Sequence, residues 1–88
     1  MKPPLRKLYR IGEIMQYTEL SRQTIHNYTV LGLITEVDRT EGNQRLYAEE
    51  TFARLERVEQ LKKQGKTLRE IREIIDVEYA ASRKAGGE

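Results

Sequence analysis

Two short apolar stripes separated by a polar break constrain this chain more than any other feature in it. Ile11, Ile14 and Met15 recur at helical spacing and stop at Thr18-Glu19; Leu20-Ser21 then opens a second run that carries Ile25 and Tyr28. Ser21 suits the cap position of that second helix. Leu20 before the cap and Ile25 four positions beyond it have the spacing of a hydrophobic staple. Leu31-Gly32 supplies the end, because glycine adopts positive φ without steric cost. Two helices this short, joined by a turn of about three or four residues, have the dimensions of a helix-turn-helix.

Beyond Ile34 the pattern changes twice. Thr35 to Thr40, a turn at Glu41-Gly42-Asn43 and then Gln44 to Tyr47 predict a short hairpin, which must lean on the helices because a lone ribbon is unstable. Phe52, Leu55, Val58 and Leu61 predict a third helix from about Glu49 to Gln64. Its first turn holds Glu49 and Glu50 and its last Lys62 and Lys63, each matching the helix dipole. Gly65 closes that helix. Thr67 and Glu70 form a capping box for a fourth, whose inner face is Leu68, Ile71, Ile74 and Ile75 and which extends to about Ala81. The expected fold class is mostly α, with four helices and a two-stranded β wing. A basic N-terminal arm over residues 1–8 precedes a folded domain over 9–81, and a flexible, Gly-rich tail over 82–88 follows it.

Composition narrows the function. Eighty-eight residues with 38% apolar side chains make one small core, with no room for a second core or a substrate cavity. Cysteine is absent, which excludes disulfides and thiolate chemistry, and the one histidine, His26, cannot build a metal site by itself. No carboxylate pair accompanies a nucleophile and no glycine-rich phosphate loop is present, so neither an enzyme nor a bound cofactor or metal is expected. No run is long and apolar enough for a membrane span, and no signal-peptide core follows the N-terminus; a soluble cytoplasmic protein is the expectation. The net charge of +2 points only weakly to nucleic acid. Placement says more: residues 1–47 carry seven basic and five acidic side chains, whereas residues 48–88 carry nine of each.

The ordered set of motifs resembles the DNA-binding domain of the MerR family of bacterial transcription regulators. The matching stretches are Tyr9-Arg10-Ile11-Gly12-Glu13-Ile14, then Ser21 through Thr24-Ile25 to Tyr28, and Leu31-Gly32-Leu33-Ile34. Arg39, Arg45-Leu46-Tyr47, and Gly65 with Leu68, Glu70 and Ile71 complete them, spanning roughly residues 9 to 75. The resemblance implies a winged helix-turn-helix: the helix from Ser21 to Leu31 enters the major groove, the hairpin is a wing on the adjacent phosphates, and the loop around Gln64–Thr67 is a second wing. It also implies double-stranded DNA as the partner, engaged by a homodimer that bends and untwists a promoter. Three departures bear on the sequence read. Gln23 stands where the family usually has arginine, His26-Asn27 where it has arginine and tyrosine, and Lys66 where an aromatic follows the glycine of the second wing. Neutral donor–acceptor groups thus replace fixed positive charge. The long dimerising helix and effector domain typical of the family are expected to be absent.

Within that frame the expected contact set is Ser21, Arg22, Gln23, Thr24, His26, Asn27, Tyr28, Arg39, Arg45, Tyr47 and Lys66. Arg22, Gln23, His26 and Asn27 share the outer side of the second helix when Ile25 and Tyr28 face inward; Arg22 can pair with guanine, and Gln23 or Asn27 with adenine through both amide groups. The bland reading is a solvated helix face. Tyr28 and Tyr47 can pack their rings inside while their hydroxyls reach a phosphate, with core packing alone as the competitor. Arg39 sits among Glu36, Asp38 and Glu41, so an internal ion pair competes with DNA for it. Arg45 has no close acidic neighbour in sequence and is the firmest expected phosphate contact. Lys66 adjoins the start of the fourth helix, where backbone N–H groups can also hold a phosphate. Two rival functions remain at this point: an excisionase-like architectural DNA-binding protein, and a protein-interaction module bound to a second protein. The neutral half from Ala48 onward motivates the latter.

Overall fold

The computed structural model of the chain describes the backbone of residues 7–87 and the side chains of residues 7–80. Two short helices, α1 (Ile11–Thr18) and α2 (Arg22–Val30), form the helix-turn-helix, with Glu19-Leu20-Ser21 as the turn. Each end is fixed locally. The Arg10 backbone N–H donates to Glu13 Oε1 at 2.9 Å ahead of α1, and Ser21 Oγ accepts the Thr24 N–H at 3.1 Å ahead of α2. At the end of α2 the Leu33 N–H reaches Tyr28 O and the Gly32 N–H reaches Thr29 O, with Gly32 at φ +82°. That paired reversal needs a left-handed residue, which is why a glycine stands there.

Three antiparallel strands follow the order β1 (Tyr9–Arg10), β3 (Arg45–Tyr47), β2 (Asp38–Arg39). The sequence predicts only the β2–β3 ribbon. The structure corrects this to three strands, because Tyr9 and Arg10 pair with Tyr47 and Leu46. Two residues carry no detectable alternation, so this pairing is visible only once the chain has folded. Through it the segment before α1 joins the wing, answering the requirement that a lone ribbon be braced.

Helices α3 (Glu50–Lys63) and α4 (Leu68–Gly87) pack against each other. The loop between them repeats the reversal seen after α2: the Lys66 N–H reaches Leu61 O and the Gly65 N–H reaches Lys62 O. Thr67 and Glu70 then exchange the two bonds of a capping box, at 2.9 and 3.1 Å. Arg57 forks onto Glu78, with Nη2 2.7 Å from Oε2, and the Arg54 guanidinium lies 4.1 Å from the Tyr79 ring centroid, fixing α4 well past its apolar run. The helix continues to Gly87, beyond Ala81 where the sequence ends the domain, since Ala80 to Ala85 contain no helix breaker. The basic arm of residues 1–8 lies outside the described residues except for Lys7 and Leu8, and Glu88 also lies outside them. One core, built from Ile14, Ile25, Tyr28, Leu33, Ile34, Tyr47, Leu55, Val58, Leu61, Ile71 and Ile75, unites all four helices and the sheet. Its position leaves the polar side of α2 facing outward next to the hairpin.

Candidate nucleic-acid interface

Ile25 and Tyr28 are buried, and that rotation of α2 fixes what the helix shows to solvent. Arg22, Gln23 and Asn27 are exposed and His26 is half-buried, so the four side chains expected on one face do share it. Arg22 makes no side-chain bond or ion pair among the described residues. Gln23 Nε2 donates to Asn27 Oδ1 at 3.0 Å, one helical turn away. This bond steadies both amides while leaving the Gln23 carbonyl and the Asn27 amide N–H groups free, an acceptor beside a donor.

His26 does not stand alone. Its Nδ1 lies 2.9 Å from Arg45 Nη1 on the wing. A guanidinium can only donate, so Nδ1 is the acceptor and the proton of the neutral ring sits on Nε2. Arg45 in turn donates through Nε to Glu36 Oε1 at 2.8 Å. Glu36 also receives Arg39, with Nε at 2.6 Å and Nη2 at 3.1 Å, while Arg39 Nη1 reaches Asn43 Oδ1 at 3.1 Å. Hydrogen bonds from Arg39, opposed by partial burial and reinforced by Arg45, hold the Glu36 carboxyl below the usual carboxylate range. Glu36 thus organises both wing arginines, and Arg45 ties the wing to α2. Sequence proximity suggested the Arg39 pair. It could not show the Arg45 pair, which spans nine positions and closes only when the strands align.

A groove runs between α1, α2 and the hairpin. Arg10, Arg22, Arg39 and Arg45 line it together with Gln16, Asn43 and Gln44. Four guanidinium groups line it against Glu13, and with Glu36 held on two of them the site keeps a net positive charge. Arg10, Gln16, Asn43 and Gln44 were not singled out from the sequence. What brings Gln16 to the site is the packing of α1 beside the wing.

The remaining expected residues cap α2, face inward or lie elsewhere. Ser21 Oγ is committed to the Thr24 backbone and also donates to Thr24 Oγ1 at 2.9 Å, so both act as the cap of α2. The Tyr47 ring is fully buried and its hydroxyl meets Thr29 Oγ1 at 2.8 Å. Thr29 spends its own hydrogen on Ile25 O, so Tyr47 is the donor. Tyr28 donates to Glu59 Oε2 at 3.1 Å and accepts from Lys62 Nζ at 3.0 Å. Burial raises the Tyr28 phenol above its ordinary pKa, and its hydrogen bond raises Lys62. Both tyrosines join α2 to its scaffold. Lys66 is exposed in the α3–α4 loop, apart from the α2–hairpin groove.

This arrangement of caps, wing and basic groove has close counterparts. Residues 9–78 match the MerR HTH family of regulatory proteins. The chain belongs to that family. A transcriptional regulator of the MerR family from Bacillus cereus, known as a crystal structure, superposes with a TM-score of 0.71 at 28% identity, over 78% of this chain and 52% of that one. The mercuric resistance operon regulatory protein of Bacillus cereus is 38% identical over 69 residues, 78% of this chain and 52% of its own length. The nodulation protein NolA of Bradyrhizobium sp. is 36% identical over 73 residues, 83% of this chain and 31% of its own length. The chain therefore spans about a third to a half of the length of these relatives, and the part it shares with the Bacillus cereus structure is the winged helix-turn-helix. Among the described residues no helix is long and apolar enough to cross a membrane, and no cluster of histidine, cysteine and carboxylate side chains could hold a metal ion.

Proposed function

We propose that this MerR-family domain binds double-stranded DNA sequence-specifically and serves transcription regulation, with α2 reading base edges and the hairpin gripping the adjacent backbone. The observation that carries the reading is the outward face of Arg22, Gln23, His26 and Asn27, open to solvent and joined through His26 and Arg45 to a wing rich in arginine. A helix of nine residues is about 14 Å long and fits a major groove about 12 Å wide. Arg22 supplies a forked donor for guanine, and the bonded pair Gln23–Asn27 presents a donor and an acceptor as adenine requires. Arg10, Arg39 and Arg45 contact phosphates. Lys66 takes a further phosphate at the second wing, and two copies of the domain occupy a symmetric site.

Selection of bound duplexes from a random pool tests this, and a two-fold symmetric consensus is the expected outcome. With four to six phosphates neutralised, log K falls against log salt with a slope of roughly −4 to −5. Arg45→Ala should weaken binding on every duplex, changing preference only where His26 meets a base, whereas Gln23→Ala should change preference at particular base pairs without a general loss. A flat salt response, or equal sequence-blind losses from both variants, would overturn the reading.

A further inference from the structure

The flank of α1 away from the basic groove carries a surface of opposite character. Residues 12, 13 and 16 of α1 line the arginine side, whereas Tyr17 and Thr18 face the start of α3. There Phe52 is bracketed by two tyrosines: the Tyr9 and Tyr17 centroids lie 4.9 and 5.7 Å from it, at interplanar angles of 87° and 90°. Tyr17 is 71% exposed, an unusual cost for a ring that touches the edge of a core. Glu49, Glu50 and Glu56 rim these rings, and among the described residues no basic side chain lines the groove. Among the described residues Glu49 and Glu56 make no ion pair and no side-chain hydrogen bond. The groove continues past Tyr17, Phe52 and Glu56 toward Leu20 and Leu55, so it is elongated rather than a cup for a single ion.

We propose that this acidic, aromatic groove docks a basic peptide segment of a partner protein, one that alternates arginine or lysine with aliphatic residues. Charge complementarity selects the occupant: carboxylates on the rim repel a phosphate backbone and attract guanidinium or ammonium groups, while exposed ring faces hold the same cations. The Tyr9 ring already takes a cation of the chain itself: Lys7 Nζ, held 3.5 Å from Glu13 Oε2 outside the groove, lies 5.3 Å from its centroid. Aliphatic side chains of the segment would settle toward Leu20 and Leu55. Because α1 stands between this groove and the arginine-lined one, both faces can be occupied together, leaving the chain able to hold a nucleic acid and a protein at once.

The test titrates the isotope-labelled full chain with a peptide alternating arginine and leucine, followed by two-dimensional NMR. Saturable shifts at Tyr9, Tyr17, Phe52, Glu49 and Glu56 are expected, with none from a peptide carrying glutamate in place of arginine. Tyr17→Ala should weaken the peptide by about two- to fivefold, as the loss of one cation–π wall implies, and Glu56→Lys should weaken it further. Neither variant should move the melting temperature appreciably, since both side chains are on the surface. No shifts at millimolar peptide, or shifts scattered over the other acidic positions of α3 and α4, would overturn the proposal. So would the same shifts on concentrating the protein alone, which would make a second copy the occupant. Peptide binding that emerges only after removal of residues 1–6 would also overturn it, assigning the groove to the chain's own basic start.

Discussion

Glu36 is the position where the candidate interface is most open to quantitative challenge. Its carboxylate bonds both wing arginines, at 2.6 Å to Arg39 Nε and 2.8 Å to Arg45 Nε, so the three groups together carry a net charge of +1 − that is, two cations less one anion. Glu36→Gln removes the anion yet keeps an amide oxygen that can still accept from Arg45 Nε, so the guanidinium stays beside His26 while the local charge doubles. One further phosphate can then be neutralised. Each neutralised phosphate steepens the dependence of log K on log salt by about 0.9. The variant should therefore bind duplex DNA more tightly at low salt, and its advantage should shrink about three- to fourfold between roughly 50 and 200 mM salt. Fluorescence anisotropy titrations of both proteins on a selected duplex and on a scrambled one read this directly. The tightening should be equal on the two, because phosphate contacts carry no sequence information. A slope that stays unchanged, or becomes shallower, would show that Arg39 and Arg45 do not meet the backbone.

Two further outcomes bear on the scaffold. Tyr47→Phe deletes the 2.8 Å bond to Thr29 from a fully buried ring while Thr29 keeps its bond to Ile25 O, so the loss should be about 0.5–1.5 kcal/mol of stability, seen as a melting temperature lower by several degrees. Its DNA affinity below the melt should match the parent; a weaker complex with an unchanged melt would instead place that hydroxyl at a phosphate. Acid should destabilise the fold through Glu13, Glu36, Glu70 and Glu78, all held below the ordinary carboxylate value of 4.5 by hydrogen bonds from Arg10, Arg39, Thr67 and Arg57 respectively. A depressed folded pKa contributes stability that is complete above the unfolded value and disappears as pH falls through the folded one, so thermal melts should be level down to about pH 5 and drop below 4.5. Melts that remain level to about pH 3 would remove these carboxylates from the stability of the fold.

What the sequence revealed and what it concealed divide along the range of the interactions. The cap at Ser21, the capping box of Thr67 and Glu70, and the reversals at Gly32 and Gly65 are set by residues within five positions of one another, and each stands in the structure as spacing predicts. The apolar periods that place Ile25, Tyr28, Leu55 and Ile71 inside are equally local, so the outward face of α2 was legible as well. The third strand was not, because Tyr9 finds Tyr47 across 38 positions with only two residues of strand to advertise it. Charge partners were the least legible. Arg45 meets Glu36, nine positions away; Glu59 and Lys62 do pair as neighbours, at 4.0 Å, yet each makes its shorter bond to the hydroxyl of Tyr28. Long polar side chains choose among several partners of similar energy, and tertiary placement decides among them.

Under the proposed function, Arg45 also limits how far reading and gripping can be separated. If the wing were attached only through the core, a change on α2 would alter base preference and leave phosphate contacts alone. Instead His26 Nδ1 accepts from the same guanidinium that Glu36 orients, so the tautomer of this ring on α2 is set by a residue of the wing. Loss of Arg45 thus removes a cation from the wing and simultaneously frees Nδ1 to carry the proton, exchanging donor for acceptor at Nε2. A domain with arginine in place of His26 would have no such choice of tautomer, since every guanidinium N–H is a donor at any accessible pH. Replacing arginine by histidine on this face therefore does more than lower the charge: it makes the hydrogen-bonding pattern of α2 depend on whether the wing is in place.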